Sequence, residues 1–144
     1  MNTEPSEEPG RTRRAPAILL ADDIESVRKG LRARLGDGYD WQVCGEAADG
    51  REAVAKVAEL HPDLVILDLS MPVMNGLEAA REIRRIAPAT KIIIFSMHSS
   101  EGLAGEAVKA GADTYIPKAS SFGELERTIA TLLEGHPAVS NPRR

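Results

Sequence analysis

Short apolar runs that stop on polar residues recur along this chain, each followed by a stretch of helical periodicity. The run Leu64-Val65-Ile66-Leu67 ends on Asp68, with Ser70-Met71-Pro72 directly after it. Unbroken apolar runs of this length fit strands buried on both faces of a parallel sheet. Ala17 to Ala21 reads the same way and ends on Asp22-Asp23. Lys91 to Phe95 ends on Ser96, and Asp113 to Ile116 leads into Pro117-Lys118. Trp41 to Ala47 makes a fifth predicted strand.

Helical patterns fill the gaps. Ile24, Val27, Leu31 and Leu35 share one predicted face, and Gly36 and Gly38 stop that helix. Ala53, Val54, Val57 and Leu60 mark a second helix, which His61-Pro62 ends. Gly76 to Ala87 is a third, closed by Pro88. Ser99 to Ala110 is a weaker fourth, because Gly102 and Gly105 each cost about 1 kcal/mol against alanine in a helix interior. Phe122, Leu125, Ile129 and Leu132 form the face of a fifth, with Ser120 or Ser121 as its cap and Gly135 and Pro137 after it.

Strict alternation of strand and helix predicts an α/β fold: a doubly wound, five-stranded parallel sheet with helices on both faces. Right-handed crossovers leave few topologies, and strand order 2-1-3-4-5, the flavodoxin-like three-layer sandwich, is the common one at this size. Pro117 cannot donate to a strand ladder, which suits a fifth strand at the sheet edge. Residues 1–15 lack apolar periodicity and read as a disordered arm, 16–135 as the single folded domain, and 136–144 as a short disordered tail.

Composition narrows the function classes. A net charge of −4 argues against a nucleic-acid surface or a polybasic membrane patch. The single cysteine, Cys44, cannot pair internally and reads as a small buried hydrophobe, which fits a reducing cytoplasm. No apolar run is long enough to span a membrane, and the N-terminus carries no secretory signal.

Under the predicted topology, strands one, three, four and five bring Asp22-Asp23, Asp68, Ser96 and Lys118 to one rim. Two carboxylates 4 Å apart repel by about 4 kcal/mol at an effective dielectric near 20. Lys118 or a hard divalent ion must offset this, and an oxygen-only donor set favours Mg²⁺ over zinc. A carboxylate beside a metal, a lysine and a hydroxyl is equipped to receive a phosphoryl group.

This constellation resembles the receiver domain of bacterial two-component response regulators. The resemblance runs from Ala17 to Glu134. It rests on the acidic pair, Asp68 followed by Met71-Pro72 and Asn75-Gly76, Ser96, and Lys118. It implies that Asp68 is the phosphoacceptor. It also implies that Asp23 ligates Mg²⁺ directly and Asp22 through water, with the Ser70 backbone carbonyl as a further ligand. Lys118 would contact the phosphoryl group, Ser96 would be the switch hydroxyl, and Tyr115 the switch aromatic. The implied protein is a cytoplasmic switch and not an enzyme, beyond at most slow self-dephosphorylation. Its phosphodonor would be a sensor histidine kinase or a phosphotransfer protein. Its output would pass through the face around the fourth helix, fifth strand and fifth helix, to an effector protein or an output domain of its own, with homodimer formation on phosphorylation left open.

There are departures and alternatives. Many family members have proline directly after the lysine, where Ala119 stands here. Ser96-Met97-His98 and Lys118-Ala119-Ser120 resemble the receivers that precede LuxR-type DNA-binding domains, so a receiver fragment of such a regulator stays open. An aspartate-nucleophile phosphatase would use Asp-x-Asp, but the second position is Ser70. A flavin or dinucleotide module would have a Gly- or Ser/Thr-rich first loop in place of Asp22-Asp23. His98 reads as a solvated loop residue, and Asp22 or Asp23 as a cap of the first helix in addition to any metal role.

Overall fold

The computed structural model describes residues 15–36, 39–98 and 102–134. The two predicted tails, except Ala15, lie outside the described residues, as do Gly38, Gly135 and the predicted start of the fourth helix at Ser99. The elements are β1 (Ala17–Ala21), α1 (Glu25–Leu35), β2 (Gln42–Ala47), α2 (Gly50–Leu60), β3 (Leu64–Leu67), α3 (Gly76–Ile86), β4 (Lys91–Ser96), α4 (Leu103–Lys109), β5 (Thr114–Pro117) and α5 (Phe122–Leu132). The five strands form one sheet in the order β2-β1-β3-β4-β5, with every pair parallel.

The alternation of side chains along each strand divides the interior into two cores. Leu19, Ala21, Val65, Leu67, Ile92 and Ile94 pack on one face against Ala53 and Val57 of α2, Ala79, Ala80 and Ile83 of α3, and Ala107 of α4. Ile18, Leu20, Leu64, Ile66, Ile93 and Ile116 pack on the other against Leu31 and Leu35 of α1 and Leu125 and Ile129 of α5. Strands covered on both faces have no polar side to show, which is why β1, β3 and β4 read as unbroken apolar runs. In β2 the pairing with β1 steps from Val43 to Gly45, so Cys44 is the extra residue of a bulge.

Most helix starts follow the sequence. Asp49 caps α2, Ser121 caps α5, and Asn75 forms a capping box with Glu78 at the start of α3. α1 differs: its N-cap is Ile24, with no side-chain cap, and Ile24 is 52% exposed instead of facing the core. α4 also differs from expectation. Gly102 is its N-cap, at φ 93°, and so is not an interior residue. The left-handed backbone there is open to glycine at little cost, and the helix that follows is short. Pro117 ends β5, the edge strand, where its missing N–H breaks no central ladder. Among the described residues no helix is long and apolar enough to cross a membrane.

Candidate phosphoryl-acceptor site

Parallel register fixes which residues meet at the carboxyl rim. Ala21 pairs with Leu67, so the next residues, Asp22 and Asp68, emerge side by side. Hydrogen bonds continue the ladder past the strand ends: Asp22 N–H donates to the Ala47 carbonyl at 3.0 Å, and Asp68 N–H to the Ala21 carbonyl at 2.8 Å. Ser96 pairs with Pro117 at the ends of β4 and β5, and Lys118 N–H donates to the Ser96 carbonyl at 2.7 Å. Four polar side chains are buried among the described residues, and three of them, Asp22, Asp68 and Ser96, stand at this rim. The fourth, Thr90, donates to the Pro62 carbonyl at the opposite end of the sheet. Burying polar groups without a ladder to satisfy them is costly, so their concentration marks the rim as a site.

One cation spans the acidic pair. Lys118 Nζ lies 2.6 Å from Asp22 Oδ2 and 3.3 Å from Asp68 Oδ1, and its side chain is only 10% exposed. Asp22 uses its other oxygen to accept from Ile24 N–H at 2.9 Å. Neither aspartate is the N-cap of α1, but Asp22 does satisfy one amide at the start of that helix. Asp23 is exposed, and among the described residues its carboxylate has no hydrogen-bond or ion-pair partner. Carboxylate oxygens of Asp22, Asp23 and Asp68 all lie within 4.8 Å of one another.

Electrostatics follow from this packing. Burial, followed by the charge of Asp22, pushes the Asp68 carboxyl above its ordinary value, and Lys118 opposes both. A divalent cation would relieve the same repulsion, and an all-oxygen donor set suits a hard ion such as magnesium. Asp22 has both oxygens engaged, whereas the Asp23 carboxylate is open to solvent.

The loops around the pocket are held by contacts that the sequence reading missed. Arg28 donates to the Asp22 carbonyl at 2.6 Å and to Glu46 at 2.8 Å, which fixes the loop after β1 against β2. Gly76 N–H donates to the Leu69 carbonyl at 2.8 Å, and a Cβ on Gly76 would lie 2.3 Å from the Asp68 carbonyl oxygen. Glycine therefore lets the start of α3 press onto the Asp68 segment. His98 is exposed in its loop, as expected, but it has partners there: its Nε2 lies 2.7 Å from Ser70 Oγ, and its N–H donates to Ser96 Oγ at 3.1 Å. A signal for this pairing does exist in the sequence. Ser70 and His98 stand two residues beyond rim positions on neighbouring strands. For Arg28 no such spacing cue exists.

Tyr115 packs against the core on the α4 side, and among the described residues its buried hydroxyl has no hydrogen-bond partner. Burial raises the Tyr115 hydroxyl above its ordinary value. A buried hydroxyl without a partner is destabilising where it stands.

Known proteins are similar to this chain in sequence and in fold. The sequence pattern of the response regulator receiver domain matches residues 18–130. The chemotaxis protein CheY of Thermotoga maritima is 44% identical over 102 residues, covering 70% of this chain and 83% of that protein. The transcriptional activator protein ExaE of Pseudomonas putida is 36% identical over 125 residues, covering 87% of this chain. The chain spans 58% of the length of ExaE. Among solved structures, a two-component response regulator of the LuxR family from Aurantimonas sp. SI85-9A1 superposes with a TM-score of 0.80 at 39% identity, covering 85% of this chain and 87% of that one. A buried acidic pocket spanned by one lysine, on a sheet ordered 2-1-3-4-5, thus coincides with a sequence match over most of the chain, and the protein belongs to the response regulator receiver domain family.

Proposed function

We propose that this chain is a phosphorylation-dependent switch in which Asp68 accepts a phosphoryl group from a histidine kinase or phosphotransfer protein. The observation that carries the reading is the contact of Lys118 with both Asp22 and Asp68 inside a three-carboxylate cluster. Asp68 Oδ attacks phosphorus as the phosphorus–nitrogen bond of a phosphohistidine breaks, and the departing imidazole nitrogen takes up a proton. Lys118 neutralises charge on the transferred oxygens, having Asp22 as its resting partner. Asp23, Asp68 and the Ser70 carbonyl would hold Mg²⁺, with Asp22 acting through water. The ion, when bound, supplies charge neutralisation for the phosphoryl oxygens.

The switch is read through Ser96 and Tyr115. The Ser96 hydroxyl turns to the phosphoryl group, and the Tyr115 ring moves into the space this opens. The face formed by α4, β5 and α5 changes as a result, and a cytoplasmic effector or a linked output domain senses the change. The resemblance to ExaE and to the LuxR-family structure favours transcriptional output for the protein in which this receiver works. Incubation with Mg²⁺ and acetyl phosphate tests the reading. Intact mass should rise by one acid-labile phosphoryl group in the wild type and not in Asp68→Asn, whereas labelling of the variant would refute Asp68 as acceptor.

A further inference from the structure

Among the described residues, a side-chain contact between two exposed residues joins the loops that carry the site across its mouth. Ser70 lies two residues past Asp68 on the loop after β3, and His98 lies two residues past Ser96 on the loop after β4. His98 Nε2 and Ser70 Oγ stand 2.7 Å apart, a hydrogen bond that either ring tautomer can make. The same histidine uses its backbone N–H to engage Ser96 Oγ at 3.1 Å. Met97 between them is 74% exposed, and among the described residues of this loop it is His98 that ties it by a side chain to the loop after β3.

The consequence concerns the Ser96 hydroxyl. Its main chain is pinned by the Lys118 N–H, and the side chain is fully buried. The hydroxyl is therefore free to move only by rotation about its own side chain, and in the resting fold His98 N–H holds it. Turning it toward a phosphoryl group on Asp68 removes the acceptor from His98 N–H. The His98 ring, tied to Ser70, keeps that N–H in place and opposes the turn.

On the reading of Asp68 as phosphoacceptor, we infer that the Ser70–His98 contact is a strut that holds Ser96 in the resting position and sets the threshold of the switch. His98 is a positioning residue: it acts on the hydroxyl and does not contact the transferred group. The strut stabilises the resting state alone, so removing it shifts the equilibrium toward the state that binds a phosphoryl group. A single hydrogen bond changes such an equilibrium by about threefold to tenfold.

The test is titration calorimetry of the full chain with beryllofluoride, a phosphoryl mimic, in saturating Mg²⁺. His98→Ala and Ser70→Ala should each bind about threefold to tenfold tighter than wild type. The double variant should gain no more than either single one, because both remove the same contact. His98→Gln, which can still reach the Ser70 hydroxyl, should stay near wild type. Affinity for Mg²⁺ alone should be unchanged in His98→Ala and His98→Gln, neither of which alters a proposed metal ligand. Equal or weaker beryllofluoride binding in the single variants, additive gains in the double, or a matching change in Mg²⁺ affinity in His98→Ala would overturn the strut. Failure of the wild type itself to bind beryllofluoride would instead overturn the phosphoacceptor reading, and the strut with it.

Discussion

The Lys118 ammonium rests closer to Asp22, at 2.6 Å, than to Asp68, at 3.3 Å. The nearer partner is thus the carboxylate not assigned as acceptor, and Asp68 shares its cation. Lys118→Ala would leave two buried carboxylates facing each other without it. Removing one partner of a buried ion pair costs about 3–5 kcal/mol. Urea unfolding in a chelator should show a loss toward the lower end of that range, and added Mg²⁺ should recover part of it. A loss within error of zero would mean that the lysine does not hold the pocket together.

Asp68 itself should cost stability in the unphosphorylated, metal-free protein. Its carboxyl is raised by burial and by Asp22, so the folded state disfavours the ionised form. That cost is fully present above its folded value and fades as pH falls toward the ordinary value of the unfolded chain. Asp68→Asn in chelator should therefore be more stable than wild type at neutral pH, with the gain shrinking in acid. Denaturant melts across pH check this, and a variant less stable at neutral pH contradicts it.

Gly76 and Gly105 should respond in opposite ways to the same substitution. Alanine at Gly76 drives a Cβ to 2.3 Å from the Asp68 carbonyl oxygen and 2.9 Å from Leu69 Cα, both backbone atoms. Gly76→Ala should cost about 1–3 kcal/mol and weaken divalent-ion binding. Alanine at Gly105 meets open space in α4, and Gly105→Ala should gain about 0.5–1 kcal/mol. Chemical denaturation with an ion titration on each variant separates the two cases.

Val73 carries backbone strain in the loop after Asp68. It sits at φ 70°, 72% exposed, and Met74 N–H donates across it to the Pro72 carbonyl at 2.7 Å. A β-branched residue in the left-handed region costs about 1–2 kcal/mol. Val73→Asn should raise stability by about 1 kcal/mol, as read by thermal or urea unfolding. A loss of stability would show that the exposed valine packs to some purpose in the fold.

These sites differ in how far the sequence announces them. Asp22, Asp68, Ser96 and Lys118 follow from strand ends, because parallel strands covered on both faces reveal themselves as apolar runs. Ile24 misled because periodicity marks a face but not where a helix starts, and its first residue points outward. Gly102 misled because propensity treats a glycine within a helical pattern as interior, although a positive φ makes it a boundary. Arg28 on the Asp22 carbonyl, and the clearance at Gly76, depend on how a helix docks onto a loop, which no periodicity encodes. The His98–Ser70 contact was readable only once β3 and β4 were known to be neighbours.

The decisive measurement is the position of the phosphoryl group in the chain. After incubation with Mg²⁺ and acetyl phosphate, borohydride reduction converts an acyl phosphate on aspartate to homoserine, which peptide mass spectrometry places in the chain. Homoserine is expected at position 68 and nowhere else, dependent on the divalent ion. Homoserine at another aspartate, or none in a folded and Mg²⁺-saturated protein, would contradict it.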